Sequence, residues 1–101
     1  MWEPTGKKAT DRTTGAKLVE QRMEQTGSLR WEVSLDGKVL GHVNSYEGYV
    51  DKKAPGSRIV HSRKVKTLWA SRPAATEQQP RPRSWHGHAT RARAVYVLVN
   101  Y

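Results

Sequence analysis

The sequence predicts a small α+β domain: an antiparallel three-stranded sheet with a short N-terminal helix and a C-terminal helix packed on it. Three observations lead there. Asp36-Gly37 sits between two apolar-alternating runs, the signature of a β-hairpin. Apolar residues recur at helical spacing on either side of the β-prone region. The chain has 101 residues, is 36% apolar and contains no Phe, which leaves room for one small core.

Residues 1–14 are polar, with Pro4, Gly6 and several Thr, and read as a disordered tail. Residues 15–101 then form a single small domain, interrupted by a flexible Pro/Arg-rich segment at 72–83. Excluding tail and segment, roughly 65–70 residues remain to fold, a size at which stability is marginal. The four Trp and four Tyr must supply much of the buried area. Trp31 and Trp69 are assigned to the core, and Trp85 divides evenly between core and surface.

Residues 15–26 are expected as the first helix. Ala16, Val19 and Met23 make a narrow apolar stripe with Leu18 beside it, Asp11, Thr13 or Thr14 caps the start, and Gly27 stops it. The sheet begins at Leu29, where Leu29, Trp31 and Val33 alternate with Arg30, Glu32 and Ser34. Two hairpin registers compete. A two-residue loop at Asp36-Gly37 pairs Leu35 with Lys38. A three-residue loop with Gly37 in a bulge pairs Ser34 with Lys38, and sets Val33 opposite Val39, Trp31 opposite Gly41 and Leu29 opposite Val43. The second gathers apolar pairs on one face and is the register expected. Tyr46 to Val50 is a continuation of that strand or a third short one. After the Pro55-Gly56 turn, Arg58 to Ser71 is β-prone, with Val65, Thr67 and Trp69 sharing a face.

Residues 72–83 hold three Pro and no large apolar side chain, and are expected as a flexible linker. The last segment reads two ways. Val95 to Val99 has the β-branched content of a strand, while Ala89, Ala92, Val95, Tyr96 and Val99 fit a helical stripe. Helix from about 89 to 100 is the reading taken.

Charge is distributed unevenly. Residues 1–51 carry seven Lys/Arg and eight Asp/Glu, whereas residues 52–101 carry eleven Lys/Arg and one acid, Glu77. Such asymmetry points to a polyanionic partner, of which nucleic acid is the commonest. Phosphate binding needs many cations at loose spacing, because much of the affinity comes from counterion release. The candidate nucleic-acid-binding residues are Lys52, Lys53 and Arg58 around the turn, Arg63, Lys64 and Lys66 on the long strand, and Arg81, Arg83, Arg91 and Arg93 in the linker and last helix. Interleaved Trp69, Trp85, Tyr46 and Tyr49 offer surfaces for stacking unpaired bases.

No catalytic signature is present. Ser57 and Ser62 lie near His61 without an Asp at recognisable spacing, and the glycines build no phosphate-cradling loop. His86-Gly87-His88 invites a metal reading with His42 and His61, yet no Cys exists and no nearby acid completes a ligand set. The expectation is a non-enzymatic protein with no metal and no cofactor. No apolar run approaches the ~18 residues of a membrane span. Met1 to Lys8 also lacks the apolar stretch of a signal peptide. A soluble cytoplasmic protein is expected.

The run Trp31-Glu32-Val33-Ser34-Leu35-Asp36-Gly37-Lys38-Val39-Leu40-Gly41-His42-Val43 resembles the opening of small proteins common in phages of actinobacteria. Those begin with Trp-x-Val, turn at Asp-Gly, return with Gly-x-Val, and often end in a short Ala/Arg helix like Thr90 to Val99. The resemblance covers about 13 residues firmly and implies a small phage-type protein with a twisted antiparallel sheet and one packed helix. It brings no active site. A phage-encoded protein would work in the host cytoplasm or nucleoid. The αβββα order with a basic start to the last helix is also similar to double-stranded RNA-binding domains, with Arg91 and Arg93 as phosphate-gripping analogues. The loop between the first two strands departs from that family's Gly-Pro-x-His pattern.

The functional expectation is therefore a small basic nucleic-acid-binding protein with phosphate-backbone contacts from its C-terminal half. The alternative is a phage-encoded factor that docks on an acidic host protein and inhibits or redirects it. Its specific contacts would come from Trp85, Tyr101 or an open strand edge at 58–70. That edge also allows a homodimer through strand pairing, unless the charges at Arg63, Lys64 and Lys66 oppose it.

Overall fold

Apolar residues at alternate positions decide the N-terminal half of the structure. The computed structural model describes the backbone of residues 1–53, 60–76, 80 and 83–101, and their side chains except at 49–53, 60–64 and 76. Ala16 and Leu18 are buried, and Glu20 follows them at 7% exposure. This period of two makes Lys17–Met23 a strand (β2), not the helix expected over 15–26. The helical stripe was narrow, and cross-strand pairing outweighs it: Leu18 lies opposite Val33 and Glu20 opposite Trp31. Asp11 and Thr14 use the chemistry of a helix cap to build a turn instead. Asp11 Oδ2 accepts the Thr14 N–H at 2.9 Å, and the Gly15 N–H donates to the Asp11 carbonyl at 2.8 Å.

Before that turn, Trp2–Thr10 forms β1 and pairs antiparallel with β2, so the tail expected over 1–14 is an edge strand. Its polar composition has a physical role there. Pro4, Lys7, Lys8 and a register break between Pro4 and Lys8 discourage pairing with another chain. Thr5 Oγ1 ties the strand down by donating to Glu20 at 2.8 Å.

Leu29–Leu35 (β3) and Lys38–Lys53 (β4) form the hairpin that Asp36-Gly37 announces. Both central residues have positive φ, 52° and 79°, which defines a two-residue type I′ turn. Leu35 pairs with Lys38 and Ser34 with Val39; a bulge at Leu40 then sets Val33 opposite Gly41 and Trp31 opposite Val43. The three-residue loop expected from sequence is thus corrected: the extra residue sits inside β4 and not in the turn. Its effect is to bury Val33 and Val43 together while Leu29 and Val39 stay exposed at 46% and 41%.

β4 continues unbroken through Tyr46 to Val50, and Val60–Pro73 (β5) pairs along it from Gly41↔Pro73 to Lys53↔Val60. Arg72 and a fully buried Pro73 therefore belong to a strand, and Ala74–Thr76 to a 3-10 turn. This replaces the flexible linker at its start; residues 77–79 and 81–82 lie outside the described part. A further strand, Trp85–His88 (β6), pairs with β5 at Ser71 and Trp69.

The helix expected at the C-terminus spans Arg91–Val99 (α1), with Thr90 Oγ1 accepting the Arg93 N–H at 3.2 Å as its cap. Val95 to Val99 are therefore helical and not a strand. Ala94, Val95 and Leu98 pack on Ala16, Leu18, Val33 and Val43 to form the core, with Trp31 and Trp69 partly buried at its margin. The described residues form one six-stranded antiparallel sheet in sequential order with one α-helix on one face. It is mostly β, which overturns the three-stranded sheet flanked by two helices. The strands missed are β1, β2 and β6, whose residues are polar or only weakly apolar and take strand form through their neighbours, not through their own apolar content.

Gly41 marks the tightest point of this packing. A Cβ there would lie 2.2 Å from the Arg72 carbonyl oxygen and 3.1 Å from Leu98 Cδ2. Among the described residues no helix is long and apolar enough to cross a membrane.

Candidate nucleic-acid interface

β4 and β5 outrun the rest of the sheet. β3 pairs with β4 only as far as Trp31↔Val43, and β6 reaches β5 only at Trp69 and Ser71. Beyond these points Tyr46–Lys53 and Val60–Leu68 pair only with each other among the described residues. At about 3.3 Å per residue this two-stranded ribbon projects roughly 25 Å. The two ribbon strands pack closely near its base: a Cβ at Gly48 would meet Leu68 Cδ1 at 2.6 Å.

Five of the ten candidate cations lie on this ribbon. Lys52 and Lys53 end β4, while Arg63, Lys64 and Lys66 lie on β5 opposite Asp51, Val50 and Gly48 respectively. Lys66 is exposed, as are Val65 and Thr67 beside it. Arg58 and Arg81 lie outside the described residues. Arg83 is exposed ahead of β6.

The remaining pair is placed differently. Arg91 lies with its guanidinium 4.7 Å from the centre of the Trp31 ring, and Arg93 lies 5.1 Å from that of Tyr96. Both belong to α1, away from the ribbon. The Arg91–Trp31 contact joins the helix to β3, whereas the Arg93–Tyr96 contact lies along α1 itself. The structure thus gathers the strand cations and leaves the helix cations apart.

β6 is held by its two histidines' neighbours. Ser71 Oγ and His88 Nε2 are 3.0 Å apart, and the Gly87 N–H donates to the Tyr46 hydroxyl at 2.8 Å. His86 instead packs edge-on to Tyr46, with ring centres 5.9 Å apart. His86 and His88 therefore turn to different partners, and no group of three or more His, Asp or Glu among the described residues is arranged to hold a metal ion. Burial, followed by the positive charges of Arg93 and His86, pushes the His88 pKa below its usual 6.5. A neutral His88 beside Ser71 has the form of a base and nucleophile. Ser71 is completely buried, however, so the contact fastens β6 to β5 and presents no hydroxyl to a substrate. Trp85 packs against Tyr101 at 5.3 Å between ring centres.

The sheet face opposite α1 carries a polar row that the sequence reading did not single out. Arg30 Nε donates to Gln21 Oε1 at 2.8 Å, Gln21 Nε2 donates to Glu32 Oε2 at 3.2 Å, and that oxygen lies 3.7 Å from His42 Nε2. The Arg30 guanidinium stacks on Trp2 at 4.1 Å. Arg30 and Glu32 were visible as the polar half of the β3 alternation. Their meeting with Trp2 and Arg72 depends on β1 and the end of β5, the two segments read as unstructured. No protein-family model matches the chain, and no curated protein or solved structure is detectably similar to it.

Proposed function

We propose that this protein binds nucleic acid by laying the β4–β5 ribbon against the phosphate backbone. The observation that carries the reading is the ribbon itself: two strands that leave the sheet together and bear Lys52, Lys53, Arg63, Lys64 and Lys66. A two-stranded ribbon fits the major groove of duplex DNA, and basic arms of this kind also track the minor groove. Neither groove demands exact cation spacing, because each neutralised phosphate releases counterions wherever the contact falls. The six-stranded body anchors the ribbon and supplies the rigidity that a free basic tail lacks. The protein acts in this reading as a binder, with no chemistry of its own.

The test is retardation of a labelled duplex at low salt by the wild-type chain and by the K64E/K66E double variant. Binding by the wild type, weakened by roughly 100-fold in the variant, supports the proposal. Absence of any shift at low salt refutes it. A stoichiometric protein partner that survives nuclease treatment of a host lysate, with no nucleic-acid binding, would favour the acidic-protein alternative.

A further inference from the structure

The open face of the sheet holds a cleft of about 460 Å³ lined by Trp2, Arg30, His42, Asn44 and Arg72 among others. These side chains come from four strands, β1, β3, β4 and β5, and the sheet order alone brings them together. Two Arg, one His and one Asn line the cleft, and no carboxylate among the described residues does. Its volume falls in the range of roughly 300–1,000 Å³ usual for small-molecule sites.

We propose that this cleft binds a nucleotide, with the phosphate between Arg30 and Arg72 and the base stacked on the Trp2–Arg30 pair. The donors suit a phosphate: guanidiniums bind oxyanions through paired N–H groups, and the Asn44 amide and the His42 imidazole add further polar groups. The stack suits a base, since nucleobases pack on indole rings and on guanidinium planes alike. Arg30 is fixed for the task. Its Nε–H is held by Gln21 at 2.8 Å and its plane by Trp2 at 4.1 Å, so little freedom is lost on binding. Glu32, the nearest acid to His42, accepts from Gln21 and is absent from the cleft lining. The site is independent of the ribbon and shares none of its cations. The same chemistry reaches it as a free mononucleotide or as the unpaired end of a strand.

Calorimetric titration at low salt tests this with three probes: AMP, adenosine, and a short single-stranded oligonucleotide. Saturable one-to-one binding of AMP, of the oligonucleotide or of both is expected, and which of the two binds identifies the source. Adenosine should bind at least about tenfold more weakly than AMP, because it lacks the charged group that the guanidiniums hold. Arg72→Gln, an exposed position, should weaken binding by about tenfold or more, and Trp2→Leu by about tenfold. Thermal melts of both variants show that they are folded. Failure of both AMP and the oligonucleotide to bind overturns the proposal, as does binding that Arg72→Gln leaves within twofold of wild type. Duplex retardation on the same preparation reports the ribbon separately. A protein that retards duplex but binds no nucleotide loses the cleft and keeps the ribbon; the reverse result loses the ribbon and keeps the cleft.

Discussion

Replacing Gly41 by Ala should destabilise the protein more than any other single-methyl addition considered. The new Cβ would sit 2.2 Å from the Arg72 carbonyl oxygen, which is backbone and cannot swing aside as a side-chain end can. Leu98 Cδ2, at 3.1 Å, blocks retreat towards the helix. Either the β4–β5 pairing opens near Gly41↔Pro73 or α1 lifts from the sheet. Overpacking costs about 1–3 kcal/mol, and the positive φ of 156° adds about 1 kcal/mol for a residue with a side chain. The sum, about 2–4 kcal/mol, is a large share of the roughly 5–15 kcal/mol that holds a domain of this size. A fall in Tm of about 10 °C or more follows. Gly37→Ala is the control: its φ is 79° but no atom lies within 4 Å of the added Cβ, so only backbone strain of about 1–2 kcal/mol applies. Melting followed by circular dichroism compares the two. Equal Tm values for G41A and G37A would refute the close approach of β4 and β5 at this point.

Two further outcomes follow from the same packing. Leu18→Ala should cost about 2–5 kcal/mol in urea unfolding while Val19→Ala costs far less, since Leu18 is 1% exposed and Val19 lies on the open face. The opposite ranking would restore the helical reading, in which Val19 belongs to the buried stripe. Lowering the pH should loosen β6. The His88 pKa is depressed in the folded state, so the unfolded chain binds more protons below pH 6.5. The contribution of the neutral ring is complete above that pH and is lost as pH falls from 6.5 towards the lower folded value. His88→Asn should therefore flatten the pH dependence of Tm below pH 6.5, and an unchanged profile would contradict the Ser71–His88 contact.

The hairpin and the last helix were legible because their signals are local. Asp36-Gly37 encodes its turn in two residues, and the Ala/Arg-rich run encodes the last helix, although its buried face is Ala94, Val95 and Leu98 and not the expected stripe of Ala89, Ala92, Val95, Tyr96 and Val99, of which Ala89, Ala92 and Tyr96 are exposed. β1 and β2 were not, because their strand character depends on partners. Leu18 becomes a core residue only when Val33 lies opposite it, and nothing within residues 15–26 distinguishes that from a weak helix. The Asp11–Thr14 hydrogen bond misled for a physical reason, since a side-chain oxygen taking an N–H three residues on serves turns and helix caps equally. The bulge at Leu40 was hidden for a similar reason. It sits next to Gly41, whose close approach to the Arg72 carbonyl joins residues far apart in sequence. Among the candidate cations, those on one continuous strand were placed together, whereas Arg91 and Arg93 were drawn to Trp31 and Tyr96, which charge counting does not register. The Trp2–Arg30–Arg72 cleft required the full strand order and had no local signal beyond the polar alternation of β3.

The salt dependence of duplex binding tests the ribbon most directly. Five cations on β4 and β5 that each neutralise one phosphate predict a slope of about −4.5 in log K against log salt concentration. Lys64→Gln combined with Lys66→Gln should reduce that slope to about −2.7. A slope near zero, or one that the double variant leaves unchanged, would contradict the account.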